Sequence, residues 1–469
     1  MPDGWIYIMT NRPDGTLYVG VTKDIVHRAW KHRAGLVEGF GSKRLVLVRR
    51  QAAREKYEAL ARRLGNAPDL WRLGRRPYDQ LSQGVDGRHK SLSSAAQHGS
   101  VAGHDIEAFQ VSWTPGDKPE QRSAWVRICC DDGSFGIGEA SPMQGGLASL
   151  GMIARYLAPA LIGKDPLDHA VLQDTLLHSF AKLGPEGALT GALAALDIAL
   201  WDWKGKFFKQ PIYKLLGGAW RTELPFYASI GGNGQRSVDE VLRVVETRMN
   251  DQPAAVKIRF DNDRTKPDND IPGDIAKARA VRKLVGEGFP LAFDANNGYS
   301  VGGAIRVGRV LEELGYWWFE EPVQHYHVKA MGEVAQRLDI TVSAGEQTYT
   351  LPGLADLIAA GVRMVQPDIV KMGGITGLLR CAALAHAHGV ELVPHQTQPT
   401  IGHMASLHLA ASQLHATKPC ELNDPSPCQH GVFDNPPKPV DGLFHLSAEP
   451  GLGLRVNEAE LTKRRMPIG

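Results

Sequence analysis

Three acidic residues follow one another at equal intervals in the C-terminal half of the sequence. Asp294, Glu320 and Glu346 lie 26 residues apart, and each comes at the end of a short apolar run, as in "PLAFDAN" and "ITVSAGEQ". Three carboxylates that converge repel one another unless a cation lies among them. Ligation by oxygen atoms alone favours Mg²⁺, with water or substrate filling the remaining positions. The sequence therefore predicts a magnesium site formed by these three residues.

A second carboxylate, Glu321, directly follows Glu320 in "WWFEEPV". Successive side chains along a strand point in opposite directions. We therefore expect Glu321 to make a supporting or structural contact behind the metal ligands rather than to bind the ion.

A histidine and an aspartate end two further apolar runs, and two cations occur in a third. Asp368 lies in "MVQPDIV" and His395 in "ELVPHQ". An aspartate beside an imidazole fixes its tautomer and raises its pKa, which suits proton abstraction near neutral pH. In "AVKIRF", Lys257 is accompanied by Arg259. A guanidinium stays protonated at ordinary pH, so Arg259 is a poor base but a good partner for carboxylate or hydroxyl groups.

These residues belong to eight short apolar runs that alternate with helical stretches from residue 224 onward. In order, the runs are "LPFYASI", "AAVKIRF", "PLAFDAN", "YWWFEEPV", "ITVSAGEQ", "MVQPDIV", "ELVPHQ" and "CELND". Strands that alternate with helices form parallel sheets, and eight of them predict a closed (β/α)8-type barrel over residues 224–469. The C-terminal strand ends of such a barrel make its active site, which is where the polar residues lie.

The segment before the barrel, residues 103–223, is predicted to be an α+β domain. Short strands alternate over residues 105–140, and helical patterns follow from about residue 146 to residue 216. In "GALAALDIALWDWKGK" the apolar residues recur at helical spacing, which predicts a core helix with Asp197 and Asp202 facing solvent. We expect the C-terminus of the chain to return to this domain.

The phrases "FDANNGY", "FEEP", "SAGEQ" and "QPDIVKMGGITG" resemble the enolase superfamily over residues 104–460, and the α+β segment resembles its capping domain. Asp368 and His395 place the resemblance in the mandelate racemase group, where a His–Asp pair acts as the base. The resemblance implies that Lys257 lies against a substrate carboxylate on Mg²⁺. It also implies that Glu421 of "CELND" hydrogen-bonds the enolate oxygen from the opposite side, and that Arg259 replaces a second base.

A single base on one face favours elimination of water, because His395 can take the α-proton and then assist departure of the β-hydroxyl. The resemblance thus indicates a Mg²⁺-dependent acid-sugar dehydratase, a carbon–oxygen lyase of carbohydrate acid catabolism that gives 2-keto-3-deoxy acids. A racemase, an epimerase or a lactone cycloisomerase of the same superfamily is the alternative. Polar residues after the second run, Arg259, Arg264 and Lys266, suggest a second carboxylate on the substrate. The identity of the sugar acid stays open.

The first 80 residues form a separate, basic part. Residues 1–78 carry 16 Lys and Arg against 7 Asp and Glu, which favours a polyanionic partner. Two short strand patterns, "WIYI" and "LYVG", precede a helical pattern, and together they resemble a GIY-YIG nuclease module of α+β fold. The resemblance implies a nuclease-like site made by Tyr7, Tyr18, Arg28, His32 and Glu55. The alternatives are a module that binds nucleic acid without cutting it, and a DNA-binding or DNA-cleaving protein in which the barrel is incidental.

The remaining features bound the class of protein. Residues 81–102, rich in Ser, Gly and Gln, are predicted to form a flexible linker. No apolar run is long enough to span a bilayer and the first residues lack a secretory signal, so we expect a cytoplasmic protein with no membrane partner. A homo-oligomer is the default expectation. Five other histidines lack an acidic partner by pattern and are predicted to lie in loops or on the surface: His325, His327, His386, His388 and His403.

Overall fold

The computed structural model describes residues 5–10, 17–22, 44–49, 101–114, 119–397, 400–423 and 431–468. The chain divides into two compact units, Met1–Gln97 and His98–Gly469. Within the described ranges, no helix combines the length and the apolar character needed to cross a membrane.

The first unit contains a three-stranded antiparallel sheet. Its strands are β1 (Trp5–Thr10), β2 (Leu17–Thr22) and β3 (Arg44–Arg49), with β1 in the centre. In the β1–β2 register, Tyr7 is opposite Gly20 and Tyr18 is opposite Met9. The two tyrosines of the predicted nuclease-like site therefore occupy paired strands, whereas Arg28, His32 and Glu55 lie outside the described residues.

The second unit begins with an antiparallel sheet. It contains β4 (Val101–Trp113), β5 (Gln121–Cys130) and β6 (Phe135–Ala140), and a short strand from the C-terminus, β16 (Arg465–Met466), pairs with β4. β4 starts within the segment predicted to be a linker. The C-terminal strand thus lies at the edge of this sheet, antiparallel to β4.

Five helices complete this cap domain: α1 (Leu147–Met152), α2 (Ala158–Leu161), α3 (His169–Phe180), α4 (Ala188–Phe207) and α5 (Ile212–Leu215). α4 is buried on almost every side and packs on β6, where a Cβ on Gly138 would lie 1.9 Å from the Ala195 carbonyl oxygen. Glycine at this position thus permits the close approach of helix and strand.

The prediction that Asp197 and Asp202 face solvent is wrong, since their residues are only 2% and 1% exposed. Asp197 accepts hydrogen bonds from the Thr376 backbone N–H (2.9 Å) and hydroxyl (2.5 Å). Asp202 accepts from the backbone N–H groups of Ile137 (3.0 Å) and Leu452 (2.9 Å). Helical periodicity does not reveal these partners, because they come from segments distant in sequence.

Eight parallel strands follow, as the alternation of runs predicted. They are β7 (Glu223–Ile230), β8 (Ala255–Arg259), β9 (Leu291–Asp294), β10 (Trp318–Glu320), β11 (Thr341–Ala344), β12 (Met364–Val365), β13 (Glu391–Leu392) and β14 (Cys420–Leu422). Sequential strands are neighbours from β7 to β13, and β14 pairs with β7. The sheet therefore curls until its last strand lies beside its first.

Seven helices connect these strands: α6 (Val238–Met249), α7 (Ile271–Val285), α8 (Val301–Glu313), α9 (Val328–Arg337), α10 (Leu351–Ala360), α11 (Gly374–Ala387) and α12 (Ile401–Ser412). Serine, threonine or aspartate caps several of them, and Ser237 with Glu240 forms a complete capping box at α6. In the described residues after β14 the chain instead forms β15 (Leu443–His445), antiparallel to β7, and α13 (Glu458–Arg464).

Between β13 and β14 the described residues form no backbone strand pairing, unlike the other neighbouring strands of the ring. The Gln396 backbone N–H, just after β13, donates to Glu421 Oε2 at 2.9 Å. The Asn423 side chain in turn donates to the Gln396 carbonyl. Side chains of the eighth strand thus take the place of backbone pairing at this junction.

Candidate active site

Inside the barrel, a ring of polar side chains lies next to a layer of apolar side chains, on the side towards the C-terminal strand ends. The layer consists of Tyr227, Ala255, Ala292, Trp318, Met364 and Val393. Two positions further along the same strands or their extensions come Ser229, Lys257, Asp294, Glu320, Gln366 and His395, all buried. Because side chains two residues apart share one face of a strand, the apolar layer supports the polar ring from below.

The structure brings together the three predicted metal ligands at the C-terminal ends of β9, β10 and β11. One carboxylate oxygen from each of Asp294, Glu320 and Glu346 lies within 4.8 Å of the others, and all three residues are buried. Opposite ligands of an octahedral Mg²⁺ ion lie about 4.2 Å apart, close to this spacing.

The two carboxylate oxygens of Asp294 differ in their hydrogen bonding. Its Oδ1 accepts from the Asn296 backbone N–H at 2.7 Å, but its Oδ2 is buried with no hydrogen-bond partner among the described residues. Burial and the charge of Glu320 raise its pKa well above the usual range. Apart from the Lys257 ammonium at 3.9 Å, no cation pairs with Oδ2 among the described residues. A divalent cation would bind this oxygen and relieve the repulsion, so the donor set fits Mg²⁺.

Lys257 lies beside this cluster and joins it to Glu421. Its Nζ is 2.9 Å from both oxygens of Glu320 and 2.9 Å from Glu421 Oε1. Burial disfavours the charged ammonium, but Glu320 and Glu421 outweigh this effect and raise the pKa of Lys257. Lys257 is therefore a fixed cation in a water-poor site.

His395 and Asp368 form the predicted pair. His395 Nδ1 is 2.7 Å from Asp368 Oδ2, and its Nε2 is 2.8 Å from Glu346 Oε2. Since a carboxylate only accepts, both ring nitrogens donate here, and the imidazole is held as a cation between Asp368 and Glu346. Burial lowers the pKa of His395, but Glu346, Glu421 and the hydrogen bond to Asp368 outweigh burial and raise it.

Arg259 lies at the tip of β8 and is held by two side chains. Its Nε donates to Asp261 Oδ1 at 2.8 Å, and one terminal nitrogen donates to Asn423 Oδ1 at 3.2 Å. Asp261 is itself fixed by the Gly232 backbone N–H at 2.6 Å. Burial opposes ionisation of Arg259, but Asp261 and Asp294 raise its pKa further, so this group is a permanent cation.

Glu321 lies behind the ligand cluster, as predicted from strand alternation. Its Oε2 accepts from Asn297 Nδ2 (2.5 Å) and Gln347 Nε2 (3.1 Å), and the residue has a φ of 36°. Burial and the charges of Glu346 and Glu320 raise its pKa to about 8.

Several residues that support the site were not predicted. Trp318 Nε1 (3.1 Å) and Gln366 Nε2 (2.9 Å) both donate to Glu320 Oε2, and Lys371 Nζ donates to the Glu346 carbonyl at 2.9 Å. Gln366 stands two residues before Asp368, so strand alternation alone would have placed it on the same face. Lys371 had no comparable signal, because its position depends on the turn after β12.

One predicted surface histidine is part of the core. His403, on α12, is 2% exposed and packs edge-on against Phe444 with ring centroids 4.8 Å apart. Burial lowers its pKa to about 4. Sequence pattern missed this position because its apolar partner comes from β15, which pairs with the first barrel strand.

Models of known protein families match both the N-terminal part and the larger C-terminal part of the chain. A model described as "Mandelate racemase / muconate lactonizing enzyme, N-terminal domain" matches residues 104–217, and one described as "Enolase C-terminal domain-like" matches residues 239–460. A model of the GIY-YIG catalytic domain matches residues 3–61.

Two curated relatives and one solved structure are similar over most of their length. The D-galactarolactone cycloisomerase of Agrobacterium fabrum is 32% identical, over 73% of this chain and 91% of the relative. The arabinonate dehydratase of Saccharolobus solfataricus is 30% identical, over 71% and 88%. A crystal structure of a mandelate racemase/muconate lactonizing protein from Paracoccus denitrificans, complexed with magnesium, is 65% identical with a TM-score of 0.76, over 79% of this chain and 98% of that one.

The cofactor follows from these findings together. Magnesium is bound in the similar Paracoccus structure, and three buried carboxylates with a suitable spacing are present here. Mg²⁺ is the cofactor of this site.

Proposed function

The chain belongs to the enolase superfamily, and from that premise we propose that it is an acid-sugar dehydratase. Asp294, Glu320 and Glu346 would hold Mg²⁺, which supplies charge stabilisation for an enolate formed from the substrate carboxylate. The observation that carries the proposal is the His395–Asp368 pair, 2.7 Å apart, in a site where the tip of β8 carries the permanent cation Arg259 rather than a second base.

Proton abstraction is assigned to His395 Nε2. Asp368 holds the ring by its Nδ1 proton, so that Nε2 lies beside Glu346, 2.8 Å from its Oε2. The charge of Glu346 raises the pKa of His395, and neutralising that charge by cation binding removes this contribution. We therefore expect the imidazole of the loaded enzyme to be neutral and able to accept the α-proton near neutral pH.

Stabilisation of the enolate is assigned to Lys257. Its ammonium is charged, buried and held by Glu320 and Glu421, so it does not need to reorganise as negative charge develops. In this arrangement the ion pair with Lys257 holds the pKa of Glu421 at about 2, although burial alone would raise it. We therefore propose that Glu421 anchors Lys257 and orients Gln396, and that donation to the enolate oxygen requires a proton on Glu421.

Departure of the β-hydroxyl completes the reaction. His395, protonated by the first step, returns its proton to the leaving oxygen when both groups lie on the same side of the substrate, and the product is a 2-keto-3-deoxy acid. Arg259 has no proton to exchange at ordinary pH, which favours elimination over racemisation. It binds substrate oxygen atoms instead.

The test is a screen of all stereoisomers of the aldonates and aldarates with Mg²⁺, in which 2-keto acid formation is measured in D₂O. We expect a keto acid from at least one member and its loss in His395→Asn. His386→Asn, an exposed histidine of α11, is the matched control and should retain activity. Deuterium at the α-carbon without any keto acid would overturn dehydration.

A lactone cycloisomerase, racemase or epimerase is the second candidate. It is favoured by the curated relative of 32% identity, whose name describes a cycloisomerase. A racemase or epimerase would exchange the α-proton without producing a keto acid. A cycloisomerase that expels the ring oxygen of a lactone would produce a keto acid from the lactone but not from the open-chain acid, so the same screen, extended to sugar lactones, separates these functions.

We also propose that residues 1–80 form a nucleic-acid-binding module, supported by their positive charge and by the match to the GIY-YIG catalytic domain over residues 3–61. Plasmid nicking by the full chain that is lost in Arg28→Ala would support a nuclease. Binding that is unchanged by Arg28→Ala, without nicking, would support a module that only binds.

A further inference from the structure

We infer that Arg264 binds the second carboxylate of a dicarboxylic sugar acid, so that the substrate is an aldarate or a related diacid. This inference rests on the proposed dehydration and specifies the substrate class of the same site. The inference depends on the position of Arg264 at the rim of the barrel mouth, on its contacts with neutral oxygen atoms and on its lack of an ion pair among the described residues.

Arg264 lies on the loop between β8 and α7 and reaches the loops that follow β9 and β11. Its Nε donates to the Asn296 carbonyl at 3.2 Å, and one terminal nitrogen donates to Asn296 Oδ1 at 2.5 Å. The other terminal nitrogen is 3.4 Å from Gln347 Oε1. The guanidinium thus extends across three strand ends at the rim of the barrel mouth.

The partners of Arg264 distinguish it from the other cations of the mouth. Arg259 is paired with Asp261 at 2.8 Å and Lys266 with Asp263 at 3.2 Å, and Lys257 forms ion pairs with three carboxylates. Arg264 contacts only neutral oxygen atoms and forms no ion pair within the part of the chain that the structure describes. Its positive charge is therefore available to an anionic ligand, and a guanidinium can bind a carboxylate through two parallel hydrogen bonds.

The distance from Arg264 to the metal ligands suits a short diacid. Gln347, whose Oε1 meets Arg264, donates from its Nε2 to Glu346 Oε1 at 3.2 Å. One amide group and two hydrogen bonds thus separate the guanidinium from a carboxylate of the ligand cluster. A six-carbon diacid with one end at the metal ligands can direct its other end towards Arg264.

The loop that carries Arg264 is held by hydrogen bonds to neighbouring loops. Gln324 Nε2 donates to the Arg264 carbonyl at 3.0 Å. Further along the loop, Asp268 accepts from the Ser300 backbone N–H (2.9 Å) and hydroxyl (2.5 Å). Because these bonds hold the loop in place, little conformational entropy is lost when a carboxylate binds.

His325 provides a second polar group in the same region. Its backbone N–H donates to Asn297 Oδ1 at 2.6 Å, and its Nδ1 is buried without a hydrogen-bond partner among the described residues. Burial and the nearby charge of Arg264 lower its pKa. His325 is thus a half-buried polar ring close to the charge of Arg264.

The experiment compares two substrates that differ only at the far end. The full-length protein with Mg²⁺ is assayed on every hexarate and on the hexonate of the same configuration, by keto acid formation and by α-proton exchange in D₂O. The variants are Arg264→Gln and, as the control, Lys283→Gln, which removes an exposed cation of the following helix α7. We expect Arg264→Gln to lower kcat/KM for the hexarate by about 10- to 100-fold. Its value for the hexonate should stay within twofold, and Lys283→Gln should change neither.

Two results would overturn the inference in different ways. An equal loss on both substrates in Arg264→Gln means that Arg264 only holds the loop. A wild-type protein that turns over hexonates as well as hexarates, with no selective loss in the variant, means that no second carboxylate is bound there. If no compound of either series loses its α-proton in the wild type, the proposed function itself fails and the inference fails with it.

Discussion

His395 and Asp368 are joined twice, through their backbones and through their side chains. They form a parallel backbone bridge at the ends of adjacent strands, and His395 Nδ1 donates to Asp368 Oδ2 at 2.7 Å. The sheet therefore fixes the position of the pair and the carboxylate fixes the tautomer. Both are required for Nε2 to face the substrate with a free electron pair.

Replacement of Asp368 should change the pH dependence of the reaction as well as its rate. The hydrogen bond to Asp368 contributes to the raised pKa of His395, so Asp368→Asn should lower that pKa. The base then becomes neutral at lower pH, and the rising limb of kcat against pH should move to more acidic values. We expect a fall in kcat of about 10²-fold or more at the optimum. An unshifted limb with a reduced optimum would mean that Asp368 only positions the ring.

Glu421→Gln tests whether Glu421 anchors Lys257 or donates to the enolate. Loss of the 2.9 Å contact removes one of the carboxylates that hold the buried ammonium. If Glu421 acts as an anion, we expect kcat to fall by about 10- to 100-fold, because a buried charge pair is broken. A glutamine amide can still donate a hydrogen bond, so activity close to that of the wild type would support the donor role.

Binding of Mg²⁺ should release protons. Burial and Glu320 raise the pKa of Asp294 well above the usual range, so part of the unloaded protein carries a proton there that the ion must displace. The apparent affinity for Mg²⁺ should therefore rise with pH. Titration calorimetry in buffers of different ionisation enthalpy measures this release, and an exposed variant, Asp263→Asn, should behave as the wild type. A pH-independent affinity with no proton release would contradict the prediction.

Asp197 should make the cap less stable as pH rises through neutrality. Burial raises its pKa from 3.8 to about 7, so the folded state favours the protonated form. For a raised pKa the contribution is fully present below the unfolded value and is lost as pH rises through the folded value. Between pH 5 and pH 8 we expect the free energy of unfolding of the wild type to fall relative to Asp197→Asn, by on the order of 2 kcal/mol.

Urea titrations of the full chain at pH 5 and pH 8 measure this difference. Asp174→Asn is the control, since Asp174 is an exposed acid of the neighbouring helix that pairs with Arg380 at 2.7 Å. A difference between wild type and Asp197→Asn that does not change with pH would contradict the assignment.

The C-terminal unit should work without the N-terminal one. Contacts divide the chain between residues 97 and 98, and every residue assigned to the active site lies in His98–Gly469. We therefore expect residues 98–469 to keep the kcat/KM of the full chain within a factor of two. A large loss of activity, with the fragment still folded by circular dichroism, would show that the nuclease-like unit contributes to catalysis.

The sequence by itself predicted the barrel and the clustering of the three carboxylates at its mouth. Strand periodicity is a local property, and the C-terminal ends of parallel strands meet at one mouth whatever the loops do. Asp294, Glu320 and Glu346 could therefore be placed together from their spacing alone. The same reasoning placed Glu321 behind them and brought Asp368 next to His395, since these positions depend only on strand ends and alternation.

Only the tertiary structure decided which charged groups form ion pairs and which polar groups are buried. Asp197 and His403 occupy helical positions that the sequence pattern does not mark as buried. A partner more than a hundred residues away buries Asp197, and a partner from another sheet buries His403. Arg259, Arg264 and Lys266 are equivalent in sequence as cations of one loop region, but two have an acidic partner and Arg264 contacts neutral oxygen atoms. Ion pairing depends on distances of a few ångströms between side chains, and periodicity along the chain carries no information at that scale.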